Sequence, residues 1–223
     1  MIYVMSDVHG CEDRYRNILR QIGLKEDDHL YILGDVVDRG PGGLRVLRDT
    51  MKKKNITLLM GNHEHMMLES LLHPDDADMR WLWYQNGGKI THEQFKHCTQ
   101  AYRAEIIDYI SHLPINIEVS VNGVDYVLAH GVPECMYTLG TRYSTSKEYA
   151  LWTRIGRNAP LIENKIVIFG HTPTYHYAFD FPMPIWHGKD KIAIDCGCAW
   201  GAEGRLGCLR LNDMKEFYSE EGV

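Results

Sequence analysis

The chain has 223 residues, of which 44% are hydrophobic, and its 24 basic and 30 acidic side chains give a formal net charge of −6. Length and apolar content suffice for one large domain over residues 1–223 with a sizeable core, and an acidic balance without a basic block argues against nucleic acid as the partner. The chain runs from Met1 almost directly into its first motif, leaving no room for a signal peptide, and no apolar run reaches bilayer length, so a cytoplasmic protein without membrane contact is expected.

Residues 2–5 form a short apolar run that reads as a buried strand, and Ser6-Asp7-Val8-His9-Gly10 follows it directly. Tyr15, Ile18, Leu19 and Ile22 then recur at helical spacing, with Gly23 as the stop. The pattern repeats: strand 30–33, the loop Gly34-Asp35-Val36-Val37-Asp38-Arg39-Gly40, and a helical face of Leu44, Leu47 and Met51. A third strand over 56–60 leads into Gly61-Asn62-His63-Glu64. This β-α-β-α-β order implies parallel pairing with right-handed crossovers.

From about residue 73 to 112 the character changes, with Trp81, Trp83 and Tyr84 ahead of Asn86-Gly87-Gly88 and helical segments beyond. The segment reads as a cap-like insertion whose aromatics serve packing. Asn122-Gly123 between runs 117–121 and 124–129 is a two-residue hairpin signal that opens a second, β-rich half, and His130-Gly131 ends its second strand. An insertion over about 134–164 carries Trp152, Arg154 and Arg157. Strand 166–169 leads into Gly170-His171-Thr172, and further strands are expected at 185–186, 192–194, 206–211 and 216–218. Cys11, Cys98, Cys135, Cys196, Cys198 and Cys208 are scattered without CxxC spacing, so reduced, mostly buried thiols are expected.

Each motif sits after a strand, where α/β sheets bind ligands, so residues far apart in sequence converge on one crevice. Asp7, His9, Asp35, Asn62, His130 and His171 are oxygen and nitrogen donors without a thiolate, a set suited to two divalent ions of manganese, iron or zinc. Asp35 is the natural bridging carboxylate, Asp7 and His9 complete one site, and Asn62, His130 and His171 complete the other. Two ions about 3.5 to 4 Å apart activate a shared water for in-line attack on a phosphoester. His63 reads as the general acid with Asp38 orienting it, and Arg39 and Arg154 offer forked donors for phosphate oxygens. Seven of the other histidines, His29, His65, His92, His97, His112, His176 and His187, read as structural.

At these motifs the chain resembles the metallophosphoesterase superfamily and, within it, the phosphoprotein phosphatase family, especially its compact bacterial and phage branch. Asp-Val-His-Gly, Gly-Asp-Val-Val-Asp-Arg-Gly, Gly-Asn-His-Glu and Gly-His-Thr carry the resemblance. It implies a four-layer α/β/β/α sandwich of two mainly mixed sheets and a dinuclear, typically manganese-activated centre with the same six ligands. It also implies His63 and Asp38 as the acid pair and Arg39 and Arg154 on phosphate. Many relatives place Arg where this chain has Met60, so Met60→Arg is expected to tighten phosphate binding if the pocket has room. In the segment Ile194-Asp195-Cys196-Gly197, Cys196 replaces the family's usual Thr.

The expected function is hydrolysis of phosphoserine or phosphothreonine in proteins, with small phosphoesters as secondary substrates. A dinucleoside polyphosphate hydrolase of the diadenosine tetraphosphatase type is the close alternative. A silent phosphate-binding regulatory module ranks last, because such a module needs no His63–Asp38 pair beside a full ligand set.

Overall fold

The computed structural model describes residues 1–139, 141–159 and 162–220. The first half builds β1 (Ile2–Met5), α1 (Glu12–Ile22), β2 (His29–Ile32), α2 (Gly43–Lys52), β3 (Ile56–Leu58) and α3 (Asn62–Leu72). Three more helices follow, α4 (Ala77–Gln85), α5 (Lys89–Lys96) and α6 (Gln100–Ser111). The second half contains β4 (Asn116–Val121), β5 (Val124–Ala129), α7 (Ser146–Trp152), β6 (Ile166–Phe169), β7 (Trp186–His187), β8 (Lys191–Ala193), β9 (Gly207–Arg210) and β10 (Lys215–Tyr218). Side-chain caps start three helices: Asp76, Thr99 and Thr145 accept from the backbone N–H of Met79, Tyr102 and Glu148.

The strands form two five-stranded sheets, in the orders β10-β9-β1-β2-β3 and β4-β5-β6-β8-β7. β1, β2 and β3 pair in parallel as the β-α-β-α-β reading requires, while β9 returns antiparallel to β1. In the second sheet β5, β6 and β8 are parallel and the outer pairs are antiparallel, so both sheets are mixed. The hairpin forms where expected, with Asn122 and Gly123 both left-handed at φ 52° and 79°.

Alternation along each strand decides which layer a side chain joins. In β1, Val4 points into the seam between the sheets, where it meets Leu128, Ile168 and Ile192, whereas Tyr3 and Met5 face α1 and α2. On the second sheet, Leu128 and Ile168 enter the seam and Val127, Val167 and Phe169 pack outward. Burying each such aliphatic side chain contributes about 1.5–3 kcal/mol before entropy is counted. The sandwich is therefore α/β/β/α, but its outer layers are unequal. Helices α1, α2, α3 and α6 share the core on the first sheet, while the second is covered by α7 and irregular segments holding Ile155 and Tyr177.

The third strand ends at Leu58, two residues earlier than expected, because the Met60 N–H leaves the sheet to donate to Pro114 O at 2.8 Å. Among the described residues, no helix is long and apolar enough to cross a membrane. The six cysteines are free thiols, three buried, two half-buried and Cys135 exposed.

Candidate dinuclear metal centre

The loops after β1, β2, β5 and β6 and the start of α3 meet at one end of the two sheets. Their backbone is unusual: Asp7, His9, Asp35, Asp38, Arg39 and His171 all adopt left-handed φ angles between 47° and 70°. Such conformations cost on the order of 1–3 kcal/mol each and persist only where surrounding structure enforces them. Here the enforcement is visible. The first two loops run side by side, Asp7, His9 and Gly10 N–H donating to the carbonyls of Gly34, Asp35 and Val36 at 3.2, 2.9 and 2.9 Å.

Glu64, fully buried on the first turn of α3, fastens the second loop from below. Its Oε2 accepts from Asp35 N at 2.7 Å and Gly61 N at 3.1 Å, and its Oε1 from Val36 N at 2.9 Å and Val37 N at 3.3 Å. The Asn86-Gly87-Gly88 turn holds the other flank. Gly87 O accepts from Arg39 N at 3.2 Å, and Gly88 lies so close to Trp83 that a Cβ there would sit 2.2 Å from the indole. Trp83 Nε1 in turn donates to Asp38 Oδ2 at 2.9 Å.

These supports aim the donors at a common centre. His9 Nδ1 faces Val37 O at 3.3 Å and His130 Nδ1 faces Leu33 O at 2.7 Å, which leaves both Nε2 atoms directed inward. The inward Nε2 atoms lie 3.7 and 3.5 Å from Asp35 Oδ2, and His9 Nε2 lies 3.9 Å from Asp7 Oδ1. Asn62 Oδ1 is 2.8 Å from His130 Nε2 and 3.1 Å from His171 Nδ1. Lone-pair atoms at this spacing form a shell that a cation completes. Among the described residues, two groups have ligand atoms within 4.8 Å of one another, His9 with Asp35 and His63, and Asp35 with His130 and His171, so Asp35 is shared. The first group differs from the expected one in containing His63 in place of Asp7. His63, however, donates from Nδ1 to Asp38 Oδ2 at 2.7 Å and receives Arg39 Nη2 on Nε2 at 3.3 Å, and a guanidinium there opposes a second cation.

The electrostatics call for positive charge. Burial holds Asp7 well above the usual carboxylate range, with nearby Asp195 adding to it, and burial raises Asp35 in the same way, reinforced by Glu64. Burial lowers the basicity of His9, His63 and His171, with Arg39 adding to the effect at His63. Divalent ions bound among neutral imidazoles and carboxylates would relieve both strains, so the donor set fits the metals it was expected to hold.

The family assignment rests on most of the chain. The calcineurin-like phosphoesterase family profile matches residues 1–201. The chain belongs to that family. As a calcineurin-like phosphoesterase it is a metal-dependent hydrolase of phosphoesters. It is 29% identical to serine/threonine-protein phosphatase 1 of Salmonella typhimurium, over 77% of this chain and 78% of that protein. It is 32% identical to serine/threonine-protein phosphatase 2 of Escherichia coli over 68% of this chain and 66% of that protein. It is 26% identical to the symmetrical bis(5'-nucleosyl)-tetraphosphatase of Salmonella paratyphi B over 96% and 93%. A solved structure described as a putative diadenosine tetraphosphatase superposes with a TM-score of 0.67 at 17% identity, covering 99% of this chain and 93% of that one. A protein serine/threonine phosphatase from Saccharomyces cerevisiae superposes at 0.65 and 16%, covering 100% and 80%.

In this calcineurin-like phosphoesterase the donors open onto a cavity of about 300 Å³. Asp7, His9, Asp35, Arg39, Asn62, His63, Arg154 and His171 line it, while Asp38 and His130 lie buried just beneath. All ten expected site residues are thus brought together. Arg157 and Arg205 are elsewhere, over the rings of Trp186 and Tyr218. Sequence reasoning passed over Asn86, Arg142, Tyr175, His176, Asp195 and Trp200, which also line the cavity. Asn86 and Asp195 stand in motifs that could have marked them; Arg142 stands in none. His176, read as structural, is exposed on the cavity wall.

Met60 corrects an expectation. Its side chain is 1% exposed within the apolar core against α3 and it is not among the cavity-lining residues, so the room that a longer, charged side chain would need is absent there. Met60→Arg would bury an unpaired charge. The expected result is a loss of about 3–5 kcal/mol in stability with no gain in phosphate inhibition. Urea unfolding beside a phosphate inhibition curve measures both, and a folded variant with tighter phosphate binding would restore the earlier expectation.

Proposed function

We propose that this chain hydrolyses phosphomonoesters on serine or threonine side chains of proteins, with Asp7, His9, Asp35, Asn62, His130 and His171 holding two divalent ions, manganese foremost. The observation that carries the reading is the His63–Asp38 pair beside, and separate from, a shared-carboxylate donor shell. Bound ions supply Lewis acidity and a water made acidic enough to attack phosphorus near neutral pH. The residues of the chain do the rest. Arg39 and Arg154 take phosphate oxygens with forked donors and set the in-line geometry. His63, oriented by Asp38, delivers a proton from Nε2 to the departing oxygen. Arg39 now donates toward that Nε2, so substrate binding turns the guanidinium to phosphate and frees the imidazole for its proton.

His63→Asn is expected to keep its metal and to lose about 10²–10⁴-fold in turnover of an alkyl phosphate, with a much smaller loss on nitrophenyl phosphate, whose leaving group needs no proton. Equal losses on the two substrates would remove the acid role.

A second reading, dinucleoside polyphosphate hydrolysis, is favoured by one observation. Arg142 stands at the cavity beside Arg39 and Arg154, a third guanidinium beyond what one phosphoryl group between two cations requires. Manganese-loaded protein should be offered a phosphoserine peptide and diadenosine tetraphosphate in competition. Preference for the peptide supports the first reading, and preference for the dinucleotide replaces it with the second.

A further inference from the structure

One arginine outside the metal site reaches across to the cavity wall. Arg14, on the first turns of α1, donates from Nη1 to Cys198 O at 2.7 Å and Gly204 O at 2.6 Å, and from Nη2 to Gly201 O at 2.8 Å. All three carbonyls belong to one loop, residues 196–205, whose ends are joined by Arg205 N–H donating to Cys196 O at 2.9 Å. The loop is folded tightly on itself. Trp200 N donates to Gly197 O at 2.8 Å, and a Cβ on Gly204 would lie 1.7 Å from that same oxygen, so only glycine fits. On its far side the loop is held by Met183, whose N–H donates to Glu203 O and whose carbonyl accepts from Arg205 Nε. On the α1 side, the charged fork of Arg14 is the strong tie.

What this loop brings to the cavity is Trp200. Its ring lies 5.2 Å from that of Tyr175 at 48° between planes, and both residues line the cavity. Trp200 is 40% exposed, a large apolar ring left open at the lip of a polar, cation-attracting site. A ring in that place offers little to a phosphoryl group. It suits the organic part of the substrate, and aromatic faces favour planar rings.

We propose that Arg14 is a positioning residue for substrate recognition: by tying the 196–205 loop to α1 it holds Trp200 against Tyr175 as an aromatic wall for a planar ring carried by the substrate beyond its scissile phosphoester oxygen. This rests on the phosphoester hydrolase reading of the same cavity. Gly197 and Gly201, left-handed at φ 68° and 64°, give the untied loop freedom to carry the indole away.

The experiment uses the full chain loaded with manganese and two probes, 4-methylumbelliferyl phosphate and glycerol 2-phosphate, compared as the ratio of their kcat/KM values. Trp200→Ala and Arg14→Ala are each expected to lower that ratio about tenfold, mostly through KM for the aromatic probe. The double variant should be no worse than Trp200→Ala alone, because both changes remove one wall. Arg14→Lys keeps the charge without the fork and should fall between, and it carries the test if Arg14→Ala does not fold. A purely structural arginine would depress both probes alike and add to the Trp200→Ala loss. Either that result, or an unchanged ratio in the Arg14 variants, overturns the proposal. Failure of the unmutated chain to hydrolyse either probe would instead sink the hydrolase reading beneath it.

Discussion

Asp35→Asn is expected to abolish hydrolysis, by about 10³-fold or more, and to empty the metal centre while leaving the fold intact. Among the described residues, Asp35 Oδ2 is the one carboxylate oxygen facing His9, His63 and His130 together, at 3.7, 3.9 and 3.5 Å, and Oδ1 accepts from His63 N at 3.0 Å. An asparagine oxygen can keep the bond to His63 N, so the loop retains its anchor. Its amide nitrogen then points at three imidazole Nε2 atoms, turning a shell of lone pairs into one with an internal donor. The metal-free variant should therefore melt no lower than metal-free wild type, yet fail to gain melting temperature when manganese is added. Elemental analysis after dialysis, beside thermal melts with and without chelator, reads both effects. Two bound ions with near-normal turnover would end the bridging assignment.

The same substitution isolates a pH effect. Burial raises the Asp35 pKa in the folded state, so without metal this group's contribution favours folding below the unfolded carboxylate value, about 3.9, and is lost as pH rises through the folded value. Asp38, pushed up to about 7 by burial, follows the same sign in both proteins, and the histidines lowered by burial run opposite in both. Subtracting one melting curve from the other removes what the two share and leaves Asp35 with the relief its lost charge gives Asp7, which has the same sign. The advantage of Asp35→Asn over chelated wild type should grow from pH 5 to pH 8, and a constant gap would mean that Asp35 is not strained by burial.

The strands and their loops were legible because short apolar runs and motifs coincide. The apolar run 2–5 marks a strand buried on both faces, which the structure divides between Val4 in one core and Tyr3 and Met5 in another, and the motif after it falls at the strand end. Gly23, left-handed at φ 55°, stops α1 where the spacing of Tyr15, Ile18 and Ile22 ends. What stayed hidden were contacts between distant segments that no local period records. Trp83 read as packing, and it is fully buried, but its indole also orients Asp38, a bond spanning 45 positions. Arg14 looks like any polar residue on an amphipathic helix until the chain returns with the 196–205 loop. Met60 shows the opposite failure: the arginine of many relatives suggested a place at the site, and here the side chain lies in the core beyond the early end of β3.

Glu64→Gln should be the most damaging change that touches no proposed ligand. The side chain is 0% exposed, and its two oxygens accept four backbone N–H groups, three of them from the Asp35-Val36-Val37 loop. Burial pushes its pKa up, and these donors hold it down by favouring the carboxylate. Glutamine has the same shape, but whichever way the amide turns, its NH₂ faces two N–H donors that then have no acceptor. Buried donors left unpaired and opposed cost about 3–5 kcal/mol together, equivalent to a fall in melting temperature of about 10 °C for a chain of this size. Beyond stability, the left-handed backbone at Asp35 is released, so the shared carboxylate loses its aim and metal affinity falls with it. The metal-loaded variant should therefore show a lower melting point, weaker manganese binding and reduced kcat together. A variant that melts within about 2 °C of wild type, which at this size is less than about 1 kcal/mol, would show that the four-donor clamp is not what holds the second loop in place.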